Sequence, residues 1–246
     1  TMKRLIIFAC ILAGTFSAHR ALACTGITLH TANNYPVTAR TIEWAATPLH
    51  AMYVIVPRGQ QQRSFLPDGT LAGKTFTAKY GYVGISVEND AFVMEGINEA
   101  GLGVGLFYFP QYGEYQPYDP QKKEQSVSDM QLAAWILSSF ASINELQAAM
   151  PQIRVIATDP RASTVHWRIT ESSGRQVVLE IVNQHVHFYE NPLGVLTNSP
   201  DFGWHLTNLN NYVNLSAGSI NHRQVGRLNL NAFGGGSGLH GLPGDM

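Results

Sequence analysis

Among the residues of this chain that could do chemistry, Cys24 stands out, because of what precedes it. Lys3 and Arg4 form a short positive segment, Leu5 to Phe16 is an apolar stretch, and Ala21-Leu22-Ala23 matches an A-x-A cleavage site, so residues 1–23 read as a secretory signal peptide. Cleavage after Ala23 would leave Cys24 as the first residue of the exported chain. Cys10 would leave with the signal, so Cys24 has no internal disulfide partner. A lone thiol at a new N-terminus can be a lipid anchor, an incidental residue, or a nucleophile whose own α-amine is the base. Lipidation is the poorer fit, since the Leu usually found three residues before such a cysteine is Ala21 here and Leu22 comes one residue late. An α-amine titrates at about 7.7–8.0 and a thiol at about 8.5, so near neutral pH the amine can take the thiol proton without a histidine. Such a site also needs a cation to favour thiolate, a carboxylate to orient the amine, and donors for the tetrahedral oxyanion.

The elements that would position Cys24 follow from the hydrophobic pattern. Thr25 to Thr31 alternates polar and apolar, Asn33-Asn34-Tyr35-Pro36 turns, and Val37 to Arg40 extends again, which predicts a hairpin carrying the nucleophile. Further strands are predicted at Met52–Val56, Tyr82–Val87, Ala91–Met94, Gly103–Phe109, Thr164–Ile169, Gln176–Ile181, His185–Tyr189 and Gly194–Thr197. Ser128 with Gln131, and Ser142 with Glu145, read as capping boxes opening two consecutive helices, and Phe202 to Tyr212 reads as a third. Gly234 to Gly238 reads as a loop. This predicts one α+β domain with strands in two blocks around a helical pair.

Composition sets outer limits. The 246 residues are 45% hydrophobic and 13% charged, with 16 Lys+Arg against 17 Asp+Glu, enough apolar material for a full core. Without a basic block nothing supplies the footprint of nucleic-acid binding, and no apolar run reaches the roughly 18 residues of a membrane span.

The motifs Cys24-Thr25-Gly26, Ala39-Arg40-Thr41-Ile42-Glu43-Trp44, Asn98-Glu99-Ala100-Gly101-Leu102, Thr164-Val165-His166-Trp167, Gly194-Val195-Leu196-Thr197-Asn198-Ser199-Pro200 and Gly241-Leu242-Pro243-Gly244-Asp245 occur in that order. Together they resemble the choloylglycine hydrolase family, the bile salt hydrolases and penicillin V acylases of the N-terminal-nucleophile (Ntn) hydrolase superfamily. The resemblance implies a four-layer αββα sandwich spanning 24–246, a hydrolase of linear amides, no metal or organic cofactor, a small-molecule amide substrate, and a homo-oligomer, tetrameric in the family. It implies Cys24 as nucleophile, Arg40 as the cation beside the sulfur, and Asn198 as an oxyanion donor. Glu43 stands where many members have Asp near the amine. Tyr108 stands where bile salt hydrolases carry Asn and penicillin acylases Tyr; its N–H would be the second oxyanion donor and its ring a platform for an aromatic acyl group. Trp44 would line the pocket or the core.

The family's next active-site arginine would fall beyond Met246, and Arg223 and Arg227 do not match it, so the chain is expected to be a copy truncated at its C-terminus. The expected location is the periplasm or exterior of a bacterium. The competing readings are an acyl homoserine lactone acylase, an inactive homologue, a lipid-anchored binding protein, and a Cys–His hydrolase drawing on His166, His185, His187 or His205. His185-x-His187 could also begin a metal site, although two ligands fall short of one.

Overall fold

The computed structural model describes residues 24–43, 49–212 and 223–230. The signal segment, Trp44, the glycine loop and the Gly241–Asp245 motif lie outside the described residues. The chain forms two compact units that divide between Ser199 and Pro200.

In the first unit the strands are β1 (Cys24–His30), β2 (Pro36–Ile42), β3 (Ala51–Val56), β4 (Gln61–Arg63), β5 (Thr75–Thr77), β6 (Tyr82–Val87), β7 (Asn89–Asn98), β8 (Gly103–Tyr108), β9 (Ser126–Ser128), β10 (Arg154–Ile156), β11 (Val165–Thr170), β12 (Gln176–Val182) and β13 (His185–Glu190). Helix α1 (Leu132–Ser139) and helix α2 (Ile143–Ala149) separate β9 from β10. The predicted two blocks of strands merge into one antiparallel seven-stranded sheet, in the order β13-β12-β11-β8-β7-β6-β3. The seam is the pairing of β8 with β11, where Leu106 faces Trp167 and Gly105 faces Arg168.

Side chains alternate across a strand, so this register sorts them onto two faces. One face presents Val104, Leu106, Trp167, Ile169, Val177, Leu179 and Ile181, which join Leu132, Ile136 and Leu137 of α1 in the buried core. The other presents Glu95, Phe107, His166, Arg168 and Glu180, and onto its centre lies the β1–β2 hairpin. Strand β1 runs close enough that a Cβ on Gly26 would stand 2.6 Å from Phe107 Cζ and 2.8 Å from Arg168 Nη1. Glycine is required there by lack of space.

Two local predictions need correction. The Ser142 hydroxyl does cap α2, accepting from Glu145 N–H at 3.2 Å. At α1, however, residues 129–131 form a 3₁₀ turn, Ser128 makes no cap bond, and its hydroxyl meets Thr158. Gln131 instead accepts from Phe65 N–H at 2.6 Å and donates to Arg63 O at 3.1 Å, tying the β4 segment to the helix start. The expected strand at Gly194–Thr197 reduces to one bridge, Leu196 with Gly26. In the second unit α3 (Phe202–Asn208) is capped by Asp201, whose carboxylate accepts from Trp204 N–H at 2.9 Å, and a 3₁₀ turn follows to Tyr212. Strands β14 (Arg223–Val225) and β15 (Leu228–Leu230) form a hairpin.

Asn98, in the Asn-Glu-Ala-Gly-Leu motif, is buried and has a structural task. Its amide nitrogen donates to Leu137 O at 2.9 Å and Phe140 O at 2.7 Å, and its oxygen accepts from the N–H groups of Ala100 and Leu102. It therefore joins the β7–β8 turn to the C-terminal end of α1. Each buried group orphaned costs about 1–3 kcal/mol, so Asn98→Ala is expected to lower the unfolding free energy by at least about 2 kcal/mol, read as a fall in the urea midpoint at constant slope.

Candidate active site

The site is built on the charged face of the large sheet, where the start of β1, the end of β8 and residues 196–199 meet. Cys24 opens β1, is 5% exposed, and carries a free thiol. Its nitrogen donates to Asn198 Oδ1 at 2.7 Å, and the Asn198 amide nitrogen donates to Tyr108 O at 2.7 Å. Asn198 thereby joins the candidate nucleophile to the end of β8. The Tyr108 hydroxyl donates to Ser163 Oγ at 2.8 Å.

Residues 196–199 are fastened at every position. Leu196 exchanges two backbone hydrogen bonds with Gly26, at 2.7 and 3.0 Å. The Thr197 carbonyl lies 3.0 Å from His166 Nε2. Asn198 bonds as above, and the Ser199 hydroxyl donates to Pro110 O at 2.6 Å. This density of fastening explains why the segment is ordered without belonging to a ladder.

Arg40 lies on β2 opposite Gly26, two residue pairs along from Cys24. Its side chain is 6% exposed and packs over the Phe107 ring, 4.2 Å from the centroid. Its Nη1 donates to Leu106 O at 2.5 Å and Met94 O at 3.1 Å and lies 3.7 Å from Glu95 Oε2. Glu43 follows the end of β2 as an exposed residue, and the Cys24 nitrogen is held by Asn198. The structure thus links Cys24, Asn198 and Tyr108 directly, places Arg40 in the layer beneath, and sets Glu43 at the strand end.

Sequence reasoning missed the rest of that layer. Arg168, 1% exposed, donates from Nη1 to Ile27 O at 3.1 Å and stands 3.6 Å from Glu95 Oε1, so Glu95 lies between two guanidinium groups. Burial pushes the Glu95 carboxyl above its ordinary value, outweighing the opposing pull of Arg168 and Arg40. Burial likewise pulls Arg168 below the ordinary arginine range, against Glu95. The cost of desolvation exceeds the mutual attraction, as buried ion pairs commonly show. A charge inside an apolar strand, as in Phe92-Val93-Met94-Glu95 or His166-Trp167-Arg168-Ile169, was the available signal.

Of the histidines proposed for a Cys–His pair, His166 is fully buried between Glu180, 2.9 Å from Nδ1, and the Thr197 carbonyl. His185 and His187 lie on the edge strand β13, and among the described residues no group of three potential metal ligands gathers.

Comparison with known proteins agrees with this architecture. The solved structure of a mutant conjugated bile acid hydrolase from Clostridium perfringens superposes with a TM-score of 0.73 at 30% identity, over 90% of this chain and 67% of that one. Penicillin V acylase from Agrobacterium tumefaciens superposes at 0.61 with 25% identity, over 77% and 56%. In sequence, a bile salt hydrolase/transferase of C. perfringens is 31% identical over 229 residues, 91% of this chain and 68% of the relative. A penicillin V acylase of Pectobacterium atrosepticum is 28% identical over 224 residues, 85% and 58%. Residues 24–246 match the family model for linear amide C–N hydrolases of the choloylglycine hydrolase type. The fold is therefore that of the Ntn hydrolases, α+β and of the αββα kind. The chain belongs to the choloylglycine hydrolase family, whose members act on carbon–nitrogen bonds of linear amides.

The raised Glu95 pKa has a consequence for stability. A carboxyl raised in the folded state contributes stability that is fully present below its unfolded pKa and lost as pH rises through the folded value. As pH rises above about 4, the stability of the unsubstituted protein should therefore fall relative to Glu95→Gln, measured as the difference in urea midpoints along a pH series.

Proposed function

We propose that this chain is an exported cysteine amidohydrolase, acting after signal removal through Cys24 as an N-terminal nucleophile on penicillin V, conjugated bile salts, or both. The observation that carries the reading is the hold of Asn198 on the Cys24 nitrogen. In the described chain this nitrogen is the peptide N–H that follows residue 23; freed by cleavage and held in the same place, it would have a fixed direction relative to its own thiol, which a base on the same residue requires.

In this reading the amine takes the thiol proton and Sγ adds to the substrate carbonyl carbon, forming a C–S bond and an oxyanion. Asn198 and the backbone N–H at Tyr108 stabilise that oxyanion. Collapse breaks the C–N bond as the amine returns its proton to the leaving nitrogen, giving a thioester. Water, deprotonated by the same amine, then adds to the thioester carbonyl, the acid departs, and the thiol is restored. Arg40 supplies positive charge in the layer below and favours thiolate, with Glu43 supporting the amine. Relatives named for bile salts and for penicillin V support the substrate classes, and Tyr108 inclines the choice towards an aromatic acyl group.

Cys24→Ala is expected to abolish hydrolysis of penicillin V and of a glycine-conjugated bile salt, and Asn198→Ala to lower kcat by about 10²–10³ while the protein remains folded. Unchanged activity in Cys24→Ala would overturn the proposal. Intact-mass measurement of the protein from its native source reads the other half of it. A mass beginning at unmodified Cys24 supports the free amine, and an acylated Cys24 removes the base and favours an anchored protein.

A further inference from the structure

His166 has no role in the reaction just described, yet it is the fully buried titratable group closest in bonding to Asn198. Its ring stacks on Phe109 at 4.4 Å with an 8° interplanar angle, and Phe107 meets it edge-on at 6.3 Å. Its two nitrogens point in fixed and different directions. Nε2 faces the Thr197 carbonyl at 3.0 Å, and a carbonyl only accepts, so Nε2 carries a hydrogen. Nδ1 faces Glu180 Oε1 at 2.9 Å, and one hydrogen lies between them whichever atom holds it. Glu180 is anchored in β12 and fully buried, so the ring is gripped from below by the sheet and reaches upward to a single backbone atom.

We infer that His166, backed by Glu180, is a positioning residue for the amidase reaction: it fixes the Thr197 carbonyl and so aims the Asn198 side chain at both the Cys24 nitrogen and Tyr108 O. The geometry also excludes it as the thiol's base, because neither ring nitrogen faces Cys24. The effect on rate comes from placement. Asn198 must meet two partners, each at 2.7 Å, from a segment that is not held in a ladder. A peptide plane left free at Thr197 would swing the attachment point of Asn198, and misplacement of about 1 Å can cost on the order of 10²-fold in rate. The proposal rests on the amidase reading for its kinetic arm only.

Two substitutions of similar size and polarity separate this role from general packing. Gln at position 166 places its amide nitrogen near the former Nε2 and keeps a donor for Thr197 O; Asn reaches only the former Nδ1 and serves Glu180 alone. With penicillin V as probe, His166→Asn is expected to lower kcat about 10- to 100-fold with KM within about threefold, and His166→Gln to retain kcat within about threefold. Hydrogen exchange of the peptide containing residues 194–199 is the second readout: it should quicken about tenfold in His166→Asn and stay protected in His166→Gln. Equal behaviour of the two variants in exchange would overturn the proposal, as would a fall in kcat with no loosening of that peptide. If the unsubstituted protein hydrolyses neither amide, the amidase reading fails and the exchange comparison alone decides whether His166 holds the segment.

Discussion

The candidate active site depends on how residues 196–199 are fastened across the sheet. A loop ordinarily gains order from a ladder or from burial, and this one has a single bridge and four separate partners instead. The partners come from three places in the unit: Gly26 and Cys24 from β1, His166 from β11, and Tyr108 and Pro110 from the end of β8 and the connection beyond it. Such a segment cannot shift at one point without straining the next. It converts the rigidity of the large sheet into the fixed direction of one amide side chain.

The two faces of that sheet divide the work. The face under α1 is apolar and supplies the hydrophobic drive, with Trp167, Leu106 and Leu179 against Leu132 and Ile136. The opposite face carries Arg40, Arg168, His166 and Glu180 nearly closed to water, with Glu95, a quarter exposed, between the two arginines. Burying these groups is costly in itself, since charges leave a solvent that favours them. The first face offsets that cost, which is why a charged layer can persist beneath Cys24 instead of being replaced by leucine and valine.

Much of the fold was legible from periodicity. Strands β1, β6, β8, β12 and β13 lie within two residues of their alternating segments, and Ser142 announces α2 correctly. The failures have local physical causes. Strands β4, β5, β9 and β10 have three residues each, too few for alternation to show. Ser128 has the spacing of a cap, but tertiary partners at Thr158 and Ser64 take its hydroxyl and its N–H. Gly194 to Thr197 reads as a strand because it is a short apolar and β-branched run, yet only Leu196 finds backbone to pair with. At the site, Cys24, Asn198 and Tyr108 were named together through the family resemblance, and the structure brings the three into hydrogen-bond contact. Glu95 and Arg168 were not, because a charge in a strand reads as solvent-facing until a second layer covers it.

The site also bears on the order in which the molecule acquires its structure. Cys24 and Asn198 are 174 residues apart in the chain, Arg168 and Ile27 are 141, and Asn198 and Tyr108 are 90. Contacts so distant in sequence close large loops, and a topology rich in them folds slowly, on the scale of about milliseconds to seconds. The hairpins β6–β7 and β12–β13 can form from neighbours alone, whereas the contact of Cys24 with Asn198 waits until both halves of the sheet have met at the β8–β11 seam. A partly folded molecule can therefore hold strands and a helix before Cys24, Asn198 and Tyr108 have met.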